Sequence, residues 1–176
     1  RRRNEFITGR RCARLALNAL GTPQIAMPAD ANGLPRWPEG TLGSISHTRG
    51  LCCAVAGFNH QLRGLGLDVE KTTRLSPAAI RHIVHPSELD YTKSEQVRSS
   101  LLFSAKEAFY KMQFPHWRAQ PNFKDIALSV DVEKEELSVM EIAKTLPESL
   151  RAVAPQIQFR YCYFDDYVVT LCWLNR

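Results

Sequence analysis

Leu65-Gly66-Leu67-Asp68-Val69-Glu70 reads as a buried strand that ends in two carboxylates. Successive side chains of a strand point to opposite faces, so Asp68 and Glu70 share one face while Leu65, Leu67 and Val69 form the other. Gly64 and Gly66 fall on the carboxylate face, where missing side chains leave room for a ligand. A second run, Phe103-Ser104-Ala105-Lys106-Glu107-Ala108-Phe109-Tyr110-Lys111, has helical spacing. Leu101, Ala105, Ala108 and Met112 make its apolar stripe, and Ser104, Glu107 and Lys111 make an adjacent polar row. Three acids and a lysine, on one strand and one helix, suit a divalent cation that holds a phosphate.

Working outward, residues 3–20 predict an amphipathic helix that Gly21 and Pro23 end, followed by a Pro- and Gly-rich loop to residue 43. Leu51–Gly57 predicts a strand that pairs with Leu62–Glu70 across a turn at Asn59-His60. Ser76 as N-cap and Pro77 at N1 start a helix to about His85. The acid-bearing helix runs from Glu95 to Gln113, and residues 114–125 read as an aromatic loop. Strands follow near 126–132 and 136–141, and a hairpin joins 157–164 to 167–174 through Asp165-Asp166. The class is α+β. A boundary near Thr72–Leu75 divides the chain into residues 1–74 and 75–176.

The chain has 176 residues, 44% of them hydrophobic, which suits one domain or two small halves on a shared core. No apolar run reaches the ~20 residues of a membrane-spanning helix, so no integral membrane segment is expected. Arginines open the chain with no apolar run behind them, so no signal peptide is read. There is no initiator Met, and upstream residues are expected to be missing. Five cysteines with no ligand spacing read as reduced, buried thiols of a cytoplasmic protein. The net charge is +5, and Arg1, Arg2, Arg3, Arg10, Arg11 and Arg14 crowd one terminus. That asymmetry implies an anionic partner: nucleic acid, a polyphosphorylated cofactor or an acidic carrier protein.

The runs GLGLDVE and FSAKEAFYK resemble the two signature motifs of the 4'-phosphopantetheinyl transferase superfamily. Gly33-Leu34-Pro35-Arg36-Trp37-Pro38 with Gly43-Ser44-Ile45-Ser46-His47 agrees with them. Arg2-Arg3-Asn4-Glu5-Phe6 with Gly9-Arg10, and Val168-Val169-Thr170-Leu171-Cys172, are similar to the monomeric, two-subdomain branch that includes enterobactin synthase component D. The resemblance implies two similar subdomains in a pseudo-two-fold arrangement, each a small antiparallel-rich sheet with a packed helix, and coenzyme A between them. It implies Mg-dependent transfer of 4'-phosphopantetheine from coenzyme A to a serine of an apo acyl or peptidyl carrier protein, with release of 3',5'-ADP. Siderophore or secondary-metabolite pathways are the implied setting. Asp68, Glu70 and Glu107, with the Val69 carbonyl, would hold the metal. Glu107 would act as base, and Lys111 would contact the pyrophosphate. Ser46 and His47 would bind a phosphate, Arg2 and Arg10 would reach the adenosine 3'-phosphate, and Lys106 is a further cation on the next row. Relatives often carry a lysine where this chain has Ala29-Asp30-Ala31-Asn32, and Arg36 is the substitute. Thr48 stands where many relatives have Cys.

Each residue also has a plainer reading. Asp68 and Glu70 could be solvated acids at a strand end, and Glu107–Lys111 a surface pair worth about 0.3–0.5 kcal/mol. His47 could be structural, Arg2 and Arg10 part of a solvated basic terminus, and Phe114, Trp117 and Phe123 core rather than a carrier-protein surface. Glu88 is a secondary acid–base candidate. The competing functions are a metal-dependent phosphohydrolase and a basic nucleic-acid-binding module; against the latter, no nucleic-acid motif is present.

Overall fold

The computed structural model describes residues 2–22, 26–30, 33–73, 75–93 and 95–176, with side chains from residue 4 onward. The predicted contribution of Pro23 to ending the first helix, and the side chain of Arg2, lie outside the described residues.

Helix α1 (Arg2–Ala19) lies on a hairpin of β1 (Thr41–Thr48) and β2 (Leu51–Phe58). Gly9 brings the helix close to Ile45, and the Cys12 thiol donates to the Cys52 carbonyl at 3.6 Å. Ala13, Leu17 and Met27 form a small core there with Trp37, Ile45, Ala54 and Ala56.

The second sheet is antiparallel and five-stranded, in the order β3-β7-β6-β5-β4. Its strands are β3 (Leu62–Lys71), β4 (Ile126–Asp131), β5 (Glu136–Ile142), β6 (Gln158–Phe164) and β7 (Tyr167–Asn175). Helix α4 (Gln96–Trp117) packs on β3 and β7. Its stripe of Leu101, Ala105, Ala108 and Met112 is wholly buried in the main core. Short helices α2 (Pro77–Ile83), α3 (Leu89–Thr92) and α5 (Glu148–Val153) fill the connections, and the Ser76 hydroxyl caps α2 as its sequence predicts.

Of the five thiols expected to be buried only Cys172 is, and Cys162 is exposed. Three further expectations change. First, β3 does not pair with β2. Its backbone partner is β7, with Asp68 opposite Thr170 and Glu70 opposite Val168. The outer edge of β3 meets β1 through side chains instead: Ser44 Oγ donates to the Leu67 carbonyl, and the Val69 N–H donates to Ser46 Oγ. A strand edge left open by the sheet is thus satisfied by two serines one pleat apart. By this pairing, the strand placed in the first half of the chain belongs to the sheet built by the second.

Second, α4 takes the space directly over Gly64 and Gly66, and Gly64 alone of the two also borders a hollow. A Cβ on Gly66 would stand 1.9 Å from the Ala108 carbonyl oxygen, and one on Gly64 would stand 2.7 Å from the Met112 sulfur. These glycines admit the backbone of α4. Third, α4 continues past Gln113 through Pro115 to Trp117, closed by the Arg118 N–H on the Phe114 carbonyl. Proline removes a single donor near the helix end, so the last turn survives it. Trp117 packs against the main core and the Phe123 ring lies tilted against Phe103 at 5.3 Å, so much of the expected aromatic loop is structural.

Candidate active site

The close approach of α4 to β3 sets Lys111 over the strand. Its ammonium lies 2.7 Å from Asp68 Oδ1, 2.9 Å from Ser46 Oγ and 3.1 Å from the Leu67 carbonyl. Ser46 donates to the same Asp68 oxygen at 2.8 Å. Its hydroxyl therefore has one acceptor and two donors around it, which exhausts its capacity. Asp68 is 3% exposed, and its second oxygen, Oδ2, is buried without a partner. Glu70 is next on this face, with Thr48 Oγ1 at 3.4 Å from its carboxylate.

Glu107 faces the cluster from α4. Burial pushes its carboxyl above the ordinary range, Asp68 adds to the rise, Lys111 opposes it and Glu70 adds further. A carboxyl held up by two neighbouring acids suits a place where a cation would sit. Among the described residues, no three His, Cys, Asp or Glu side chains form a ready-made metal cage. Magnesium does not require one, since one or two carboxylates with substrate phosphates suffice. The orphaned Asp68 Oδ2 and the raised Glu107 fit that mode. The Val69 N–H points to the edge shared with β1, and its carbonyl shares that direction in an extended strand.

Two hollows reach the cluster. One, of about 500 Å³, is lined by Trp37, Leu42, Tyr110 and Phe114, with Glu107 and Lys111 at its wall. The other, of about 420 Å³, lies beside Glu70, between Ser76 and His82 on one side and Ser100 and Phe103 on the other.

Residues 1–57 match the 4'-phosphopantetheinyl transferase N-terminal domain, and residues 64–172 match the 4'-phosphopantetheinyl transferase superfamily. The chain belongs to the 4'-phosphopantetheinyl transferase superfamily. The 4'-phosphopantetheinyl transferase PptT of Mycobacterium tuberculosis is 36% identical over 137 residues, which cover 76% of this chain and 60% of that protein. The 4'-phosphopantetheinyl transferase Npt of Nocardia iowensis is 33% identical over 136 residues, covering 76% and 61%. This chain thus spans about 60% of the length of those two relatives. The holo-ACP-synthase of Plasmodium yoelii shares the fold, with a TM-score of 0.52 at 16% identity over 65% of this chain and 94% of that one.

Seen against the phosphopantetheinyl transferase motifs, the fold gathers Ser46, Asp68, Val69, Glu70, Glu107 and Lys111 at one seam. Arg10 and His47 lie elsewhere, on the α1 side of the hairpin. His47 is exposed and follows Ile45, which faces α1, by one pleat. Arg10 is 8% exposed, rests 4.7 Å over the Phe6 ring, and leaves its Nε–H buried without a partner. An orphaned guanidinium N–H suits an anion. Arg36 is exposed in the loop before β1.

Lys106 joins neither group. Its ammonium is inside the protein, 2.7 Å from Glu88 and 2.9 Å from the Ile83 carbonyl. Glu88 is 1% exposed and fully engaged, so it is not an accessible acid. Sequence reading missed the joint role of Ser44 and Ser46 in sealing β3. Their spacing of two after Gly43 was the available sign.

Proposed function

We propose that the chain transfers 4'-phosphopantetheine from coenzyme A to a serine of an apo acyl or peptidyl carrier protein, acting as a monomer in the cytoplasm. The observation that carries this reading is the Asp68–Ser46–Lys111 cluster, with an unpartnered Asp68 oxygen and a raised Glu107 beside it. Membership of the superfamily and the names of its relatives support it.

Asp68, Glu70 and Glu107, with the Val69 carbonyl, would hold magnesium, which supplies charge neutralisation on the pyrophosphate. Lys111 turns from Asp68 to a phosphate oxygen of bound coenzyme A and stabilises the charge that develops on the departing side. Arg10 and His47 bind the adenosine 3'-phosphate. Glu107 accepts the proton of the carrier serine, a task for which a carboxyl raised by burial is better suited than an ordinary one. The serine oxygen bonds to the β-phosphorus, the bond from that phosphorus to the bridging oxygen breaks, and 3',5'-ADP leaves with the bond's electron pair. The hollow beside Glu107 takes the pantetheine arm, and the one beside Glu70 admits the serine. The division into halves at residue 74 is retained as part of this proposal, with β3 as the element they share.

The test is the release of 3',5'-ADP from coenzyme A in the presence of magnesium. Release is expected with an apo carrier and not with a carrier whose acceptor serine is alanine. Release that ignores the carrier would mark a phosphohydrolase.

A further inference from the structure

The carboxylate of Glu88 and the ammonium of Lys106 are 0% and 2% exposed, and they are 2.7 Å apart. Burying both ions costs several kcal/mol each unless every donor and acceptor is met. Here they are met. Glu88 Oε2 accepts from Lys106 and from the His85 N–H at 2.7 Å, and Oε1 accepts from the Leu128 N–H at 2.8 Å. Lys106 also donates to the Ile83 carbonyl at the end of α2. One point on α4 is therefore tied to α2, to the short helix at Pro86–Glu88 and to β4.

That point directly precedes Glu107. Adjacent helical residues are about 100° apart, so anchoring Lys106 on one side sets the roll that turns Glu107 towards Asp68 and Glu70, and Lys111 with it. The side chains that α4 buries in the main core are Leu101, Leu102, Ala105, Ala108, Phe109 and Met112, all apolar. A pair of apolar side chains would fill the same volume without the desolvation cost, and would not set a direction.

We infer that the Glu88–Lys106 pair is a positioning device that fixes the roll of α4, and through it the placement of Glu107 and Lys111 over the β3 carboxylates. This inference rests on the transferase reading above for its kinetic part alone. It assigns no contact with coenzyme A to either residue.

The test replaces the pair as a unit, by Lys106→Met with Glu88→Leu, and reads kinetics and structure separately. Positioning predicts a folded protein whose kcat falls about 10- to 100-fold, the effect of roughly an ångström of misplacement. KM for coenzyme A should change less than kcat, since Lys111 moves with Glu107 but keeps its charge, and a crystal structure of the variant should show Glu107 displaced relative to Asp68. If the double variant does not fold, Glu88→Gln alone is read the same way, since it keeps the shape and loses the charge. A raised KM for coenzyme A at unchanged kcat would make Lys106 a cofactor ligand and overturn the inference. So would an unmoved α4, or a normal kcat in either folded variant. A wild type that transfers nothing would end the transferase reading, while the displacement of Glu107 would still decide this one.

Discussion

Glu107 is the residue where stability and function pull apart. Its carboxyl is raised by burial and by Asp68, so ionising it costs the folded state something that the unfolded chain does not feel. Below the ordinary carboxylate range both states are protonated and the cost vanishes. As pH rises through that range towards the raised value, the contribution to stability is lost. Glu107→Gln should abolish transfer yet raise the melting temperature near neutral pH, with the gain disappearing in acid. Calorimetry across pH checks this, and a gain independent of pH would contradict it. Lys111 has the opposite balance. Lys111→Met leaves the buried Asp68 beside Ser46 alone, and because Lys111 is itself 27% exposed the loss should fall below that of a fully buried broken pair, about 3–5 kcal/mol. Magnesium should then restore more stability to this variant than to the wild type, read as the shift in unfolding midpoint with added ion.

At the scale of elements, the join of α4 to β3 decides the site. Gly66→Ala forces a Cβ into the Ala108 carbonyl region, where only backbone could give way. It should cost about 1–3 kcal/mol or more and reduce transfer beyond what its stability loss explains, as chemical denaturation beside kinetics would show. Sequence pattern made both elements legible. The alternation at 65–70 and the stripe through Leu101, Ala105, Ala108 and Met112 named the strand, the helix and their buried faces. It did not show that they touch. Gly64 and Gly66 looked like space because a missing side chain says nothing about what fills the gap. Pairing of β3 was also misread, since the turn at Asn59-His60 pointed to β2, while β7 lies about a hundred residues on. Lys106 shows the same limit. It stands beside Glu107 in the chain, yet helical geometry sends it into the core, where Glu88, 18 residues earlier, meets it.

At the scale of the whole molecule, the two cores serve two parts of one proposed ligand. The hairpin and α1 carry Arg10 and His47, and the seam of β1, β3 and α4 carries the acids. If Arg10 and His47 hold the 3'-phosphate, dephospho-coenzyme A should show a KM about one to two decades higher than coenzyme A, from the loss of charge-assisted bonds. Arg10→Ala should shrink that preference. Equal use of both compounds by the wild type would remove the 3'-phosphate site and leave the acid cluster standing. A nucleic-acid-binding role would show instead as salt-sensitive binding of DNA or RNA.

The most direct measurement of the central claim is the intact mass of an apo carrier protein after incubation with coenzyme A, magnesium and this chain. The account predicts a gain of one phosphopantetheine per carrier with the wild type and none with Asp68→Ala, whose fold, read by circular dichroism, stays intact. An unchanged carrier mass with the folded wild type, or an equal gain with Asp68→Ala, would contradict it.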